Sequence, residues 1–211
     1  MKLACIADIH SNVNYIEQLS KLDVDAILIA GDLTQFGTDY ELEIILKKLN
    51  ELNKDVIFIA GNHDMFAQTN KEDFEELVKK VNTNGTLYYL KDSFIDYCGV
   101  TIYGTPYVLE SEGWAFNLDS EEELKFHLPR KRVDILLTHI GIYSEELSSF
   151  DTCFGKRVIG SKEVTKYIKQ YKPLFHISGH IHECGGKSSV IGTTEVDNVA
   201  EHIKIIEINK D

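Results

Sequence analysis

Short, nearly uninterrupted apolar runs alternate along the first third of the chain with stretches of helical period. Residues 2–7, 25–30 and 55–60 are dominated by Ile, Val, Leu and Ala, the pattern of strands buried on both faces. Between the first two, Ser11 or Asn12 is placed to cap a short helix that runs through Leu19. Over residues 39–50, Leu42, Ile45, Leu46 and Leu49 recur at three- and four-residue spacing, and Phe74, Leu77, Val78 and Val81 do the same over 71–81. Strand–loop–helix units in succession predict right-handed crossovers and a largely parallel sheet.

The rhythm then changes. Residues 86–90, 93–97 and 100–103 read as short strands separated by Lys91-Asp92 and Gly99, which predicts an antiparallel meander. Residues 107–129 are acidic, contain the only tryptophan (Trp114) and hold a helical piece near 121–127. Such an excursion suits a lid, a dimer contact or plain surface packing. A strand at 133–137 leads to Thr138-His139, and a loop with Asp151, Cys153 and Phe154 leads to a helix at 162–171 capped by Ser161. A strand at 174–177 opens onto Ser178-Gly179-His180-Ile181-His182, and strands near 189–191, 193–196 and 202–208 follow. With no repeat, linker or low-complexity tract, residues 1–211 are expected to form a single domain.

Composition narrows the function classes. The chain is 43% hydrophobic and 27% charged, as in globular proteins, and no apolar run approaches the ~20 residues of a membrane span. Asp8 and His10 end the first apolar run too early for a signal peptide, so a cytoplasmic location is expected. A formal net charge of -12 and only three arginines (Arg130, Arg132, Arg157) disfavour binding along a nucleic-acid backbone. A small phosphorylated substrate, a nucleotide included, stays open because a metal ion can supply the positive charge. Cys5, Cys98, Cys153 and Cys184 are scattered without a CxxC pair, which predicts free thiols rather than disulfides or a Cys-based zinc site.

The chemistry gathers at strand exits. Asp8 and His10 follow the first strand, Asp32 the second, and Gly61-Asn62-His63-Asp64 the third. His139 follows the strand at 133–137, and His180 and His182 the strand at 174–177. In extended chain residues i and i+2 point the same way, so Asp8/His10 and His180/His182 can each present a pair in one direction where the extended geometry persists. Singly, an Asp-x-His or a Gly-Asp is most simply a turn or cap. Jointly, imidazoles, carboxylates and one amide suit divalent Mn, Fe, Zn, Ni or Co, and they outnumber the ligands one four-coordinate ion needs. A two-metal centre uses all of them.

These five motifs together resemble the calcineurin-like metallophosphoesterases. Residues 172–183 are similar to small prokaryotic Icc-related phosphoesterases. The resemblance implies a four-layer α/β/β/α sandwich of two mixed β-sheets flanked by helices. It implies two divalent metal ions, one held by Asp8, His10, Asp32 and His182, the other by Asp32, Asn62, His139 and His180. The implied activity is hydrolysis of phosphodiesters or small phosphorylated metabolites by in-line attack of a hydroxide held between the metals. His63 would assist the leaving group or the phosphoryl charge, with Asp64 orienting its ring. A nuclease of the same family and a non-catalytic metal-binding scaffold are the alternatives. Ile140-Gly141 and Asp197-Asn198-Val199 depart from the prolines and the Asn-Pro-Gly common in relatives, and Leu33–Phe36 lacks the Asp-Arg-Gly of protein phosphatases. Phe36, Tyr143 and Phe154 are candidates to contact an organic group near the metals, and Gly61 is expected to allow a tight turn.

Overall fold

The chain, described from a computed structural model over residues 1–109 and 112–209, places its strands as follows. The first half contains β1 (Lys2–Ile6), β2 (Ala26–Ala30), β3 (Asp55–Ile59), β4 (Leu87–Tyr89), β5 (Ser93–Tyr97), β6 (Val100–Thr105), β7 (Val108–Leu109) and β8 (Asn117–Leu118). The second half adds β9 (Ile135–Thr138), β10 (Ser149–Thr152), β11 (Gly155–Val158), β12 (Phe175–Ser178), β13 (Ser188–Ile191), β14 (Thr194–Asn198) and β15 (Lys204–Glu207). The helices are α1 (Val13–Ser20), α2 (Asp39–Asn50), α3 (Met65–Thr69), α4 (Lys71–Val81), α5 (Glu121–Leu124) and α6 (Lys162–Tyr171). Residues 110–111, inside the acidic excursion, and 210–211 lie outside the described residues.

Two mixed sheets result. The first runs β15-β1-β2-β3-β4, and the second β13-β14-β12-β9-β6-β5. Strands β1 to β4 are mutually parallel, as the crossover pattern predicts, with β15 antiparallel against β1. The expected meander is corrected here. Strand β4 pairs with β3 in parallel, while β5 and β6 form an antiparallel hairpin in the other sheet. The Lys91-Asp92 turn therefore hands the chain from one sheet to the next instead of reversing it.

The alternation of side chains explains the layering. In β1 to β3, Ala4, Ile6, Ile27, Ile29, Val56 and Phe58 face a core shared with helices α1, α2 and α4. Their neighbours Leu3, Cys5, Ala26, Leu28, Ala30, Ile57 and Ile59 face Ile102, Ile135, Leu137 and Ile177 of the second sheet. Tyr103, Leu136 and Val196 point outward to pack with Leu124, Val164 and Ile168 of the opposite helices. Three cores between four layers give the α/β/β/α sandwich. The sheets approach closely at Gly104, where a Cβ would sit 2.6 Å from Leu90 Cβ and 2.7 Å from Ile59 Cγ2. No helix among the described residues is long and apolar enough to cross a membrane.

Helix α2 begins with a capping box, in which the Thr38 side chain accepts from the Glu41 amide while Glu41 reaches back to the Thr38 amide. The same Glu41 carboxylate accepts from the backbone N–H groups of Gln35 and Phe36 and from the Ser11 hydroxyl. A helix cap thus also secures the loop that follows β2.

Candidate metal centre

The loops after β1, β2, β3, β9 and β12 meet at one edge of the sandwich, and extended geometry does not persist into them. Asp8 (φ 57°), His10 (φ 46°), Asp32 (φ 53°) and His180 (φ 72°) all occupy the left-handed region, which non-glycine residues enter at a cost. The condition for i, i+2 pairing of Asp8 with His10 and of His180 with His182 is therefore not met. Sharp left-handed turns bring these side chains inward instead. Backbone bonds lace the turns together: Asp8 N–H donates to Gly31 O at 3.0 Å, His10 N–H to Asp32 O at 3.1 Å, and Gly179 N–H to His139 O at 3.1 Å.

Each of the two central carboxylates is divided between two tasks. Asp32 Oδ1 accepts from the His63 backbone N–H at 2.8 Å. That leaves Oδ2 between imidazoles, 3.3 Å from His139 Nε2 and 3.8 Å from His10 Nε2. Asp8 Oδ2 accepts from the His180 backbone N–H at 2.9 Å, while Oδ1 lies 3.2 Å from His182 Nε2 and 3.8 Å from His10 Nε2. Both aspartates are buried.

The imidazoles are oriented from behind. His139 Nδ1 donates to Ala30 O at 2.7 Å, so Nε2 faces inward, 3.0 Å from Asn62 Oδ1. It points at two oxygens that only accept, and positive charge must lie among them, as a proton or a metal ion. Burial would drive the His139 ring neutral, but the Asp32 carboxylate outweighs it and lifts its pKa to about 9. Burial would likewise raise Asp32, and His139 instead holds it below the usual carboxylate range. His10 Nδ1 donates to Thr34 O at 3.2 Å, and its Nε2 lies 3.2 Å from His182 Nε2. Burial lowers the His10 pKa, and burial together with cationic His139 lowers that of His180 to about 4. Backbone carbonyls fixing the rear nitrogen while the front nitrogen converges on carboxylates is the arrangement of histidines that hold metals.

Three overlapping groups have ligand atoms close enough to share an ion: Asp8, His10 and His182; Asp8, Asp32 and His139; and His10, Asp32 and His63. The oxygen and nitrogen donors, and the clustered acceptors without enough protons, fit divalent cations. His180 reaches the cluster through its ring, with its centroid 5.1 Å from that of His139. Asn62 joins through its amide oxygen.

Asp64 is brought to a different place from the one expected. It is fully buried, and Oδ1 accepts from Thr34 N–H (3.0 Å) and Thr34 Oγ1 (2.6 Å). Oδ2 accepts from Gly61 N–H (2.8 Å) and Leu33 N–H (3.2 Å). The His63 ring is held instead by the Gln35 carbonyl, to which Nδ1 donates at 2.8 Å. Asp64 thus ties the loops after β2 and β3 together, because a buried carboxylate seeks the donors nearest it. Gly61 is corrected too. It is not among the residues with positive φ, and its value is space, since a Cβ would collide with Asp32 Oδ1 and lie 2.8 Å from His139 Nε2.

Phe36 is 77% and Phe154 98% exposed, and the Tyr143 ring lies beneath Lys162 Nζ at 4.9 Å. The ring contact with the site comes from Trp114, whose indole stacks on His63 at 4.2 Å between centroids. Sequence reasoning also missed Asn198. Its Nδ2 donates to Leu147 O and Ile181 O, both at 3.0 Å, and its Oδ1 accepts from Ala200 N–H at 3.0 Å. It pins the loop that carries His180 and His182. Its position at the carboxyl end of β14, beside β12, was the available signal.

A sequence model of the calcineurin-like phosphoesterases matches residues 1–184, and the chain belongs to that family. It is 30% identical to the human metallophosphoesterase domain-containing protein 1 across 93% of this chain and 65% of the human protein. It is also 30% identical to a UPF0046 protein of Caenorhabditis elegans across 87% of this chain and 52% of that protein. The chain thus spans about half to two thirds of these relatives. Among solved structures, a protein of Thermus thermophilus superposes with a TM-score of 0.70 at 17% identity, over 94% of this chain and 89% of that one. At that identity the likeness speaks for the fold.

Proposed function

We propose that the chain hydrolyses phosphoesters, phosphodiesters or small phosphorylated metabolites, with two divalent ions. Asp8, His10, Asp32 and His182 would hold one ion, and Asp32, Asn62, His139 and His180 the other. The observation that carries the reading is Asp32: one carboxylate oxygen is tied to a backbone amide and the other lies between His10 and His139. When bound, the ions supply the positive charge that phosphoryl oxygens need and make a bound water acidic near neutral pH.

The chain's own contribution is orientation and proton handling. The backbone amides of His63 and His180 fix the faces that Asp32 and Asp8 present. Gln35 O holds His63 Nδ1–H, so the proton that His63 can give up or take sits on Nε2. A protonated Nε2 suits the leaving oxygen or the phosphoryl charge. The acidic chain, at a net charge of -12, supports a small substrate over a polynucleotide. A nucleotide fits within that class.

Hydrolysis of bis(p-nitrophenyl) phosphate with Mn²⁺ tests the reading. The wild type should turn over, while His63→Ala, with metal content unchanged, should be slower by ~10²–10⁴-fold. Wild-type turnover no faster than that of metal-loaded His63→Ala would overturn it.

A further inference from the structure

Trp114 is the chain's only tryptophan and sits in the turn between β7 and β8. One face of its indole lies on His63, tilted by 33°, while His10 meets the same imidazole edge-on at 4.6 Å. The backbone beside it is firmly held. Ala115 N–H donates to Asn62 O at 3.0 Å and Phe116 N–H to Gln68 Oε1 at 2.7 Å. Ala115 and Phe116 are completely buried, yet Trp114 itself is 47% exposed. A large flat apolar surface is thus kept in water by a pinned segment, directly against the imidazole assigned to the leaving group. Ala115 and Phe116 fill the adjoining core without it.

The polar surroundings point the same way. The hydrogen-bond and ion-pair partners of Asp8, His10, Asp32, Asn62, His63, His139 and His182 are backbone groups, carboxylates, an amide and imidazoles, with no lysine or arginine among the described residues. Among the described residues these side chains carry no cationic partner that could clamp the organic part of a substrate, and a π-face is what Trp114 offers there.

We propose that the open face of Trp114 is a stacking platform, and that the site selects phosphoesters whose leaving group carries a flat aromatic ring, aryl or nucleobase. This rests on the phosphoesterase reading, which places the leaving group at His63. Trp114 is then a specificity-determining residue that touches the substrate directly.

Three hydrolysis-resistant probes test it on the metal-loaded protein: phenylphosphonate, adenosine 5′-phosphorothioate and butylphosphonate. Calorimetry should show Trp114→Ala weakening one or both ring-bearing probes by about tenfold, as loss of one stacked ring does. Butylphosphonate should stay within about twofold, and Trp114→Phe should recover most of the loss. The ring-bearing probe that loses more names the source, aryl or nucleobase. Wild-type fluorescence excited beyond the tyrosine absorption, so that it reports Trp114 alone, should change with a ring-bearing probe and not with butylphosphonate, and it needs no variant. Equal losses for all three probes, no loss, or no ring-dependent fluorescence change would overturn the proposal. If the phosphoesterase reading alone is wrong, no diester is hydrolysed while the ring selectivity persists.

Discussion

The backbone amide of His63 donates to Oδ1 of Asp32 at 2.8 Å, so the residue expected to act on the leaving group also sets the carboxylate that lies between His10 and His139. Side chain and main chain of one residue serve different parts of the centre, and substitution separates them.

His63→Ala keeps the amide and its hold on Asp32. It should retain metal by elemental analysis and lose turnover. Asn62→Ala removes an oxygen 3.0 Å from His139 Nε2 and should lower metal affinity by ~10-fold or more. Equal metal loss in both variants would show that this division is wrong.

Asp64→Asn places an amide NH2 where two of four donors now point. Stability should fall by ~1–3 kcal/mol in denaturant titration, the cost of poorly satisfied buried groups. The pH–rate profile should keep its shape, because Gln35 O and not Asp64 holds His63. A displaced pH–rate limb without loss of stability would restore the carboxylate–imidazole pairing.

Gly61→Ala should fold but bind metal poorly, since its Cβ collides with Asp32 Oδ1. Unaltered metal stoichiometry and affinity would show that the loop can yield. Gly104→Ala makes a useful contrast. It intrudes between the sheets and should cost ~1–3 kcal/mol of stability while sparing affinity.

His176, which is not among the proposed metal ligands, gives a pH-dependent signature. It is buried, Nε2 donates to Thr138 Oγ1 at 2.8 Å, and Nδ1 has no partner among the described residues. Burial lowers its pKa to about 3, below the ordinary ~6.5 of an unfolded chain. Between those values the unfolded state binds the extra proton. The contribution is therefore present above about pH 6.5 and lost toward pH 3, with a slope of at most ~1.4 kcal/mol per pH unit. His176→Gln should flatten the fall in Tm with acid relative to wild type, and parallel curves would refute the assignment.

The strand exits were legible because five apolar runs each end on imidazoles, carboxylates or an amide, a joint pattern that turns alone do not require. The way they converge was not. Left-handed backbone at Asp8, His10, Asp32 and His180 leaves no local mark in sequence, since those residues equally suit ordinary turns. Strand β4 is three residues long, and so short a run does not reveal which sheet it joins. Hairpin β10–β11 escapes the apolar pattern because Asp151, Lys156 and Arg157 face water and break the alternation. Asp64 is misplaced by sequence reasoning because adjacency to His63 suggests contact, whereas three backbone N–H groups lie nearer.

The His180 amide on Asp8 joins positions 172 residues apart, and both carry left-handed backbone that tertiary contacts must hold in place. Closing so long a loop costs only slightly more entropy than closing a shorter one, and the contact is held by strands of both sheets that lie between the two positions in sequence. Metal affinity is thereby linked to the fold as a whole. Chelation should lower the global unfolding free energy, not merely loosen one loop, and a core substitution far from the centre should appear as weakened metal retention.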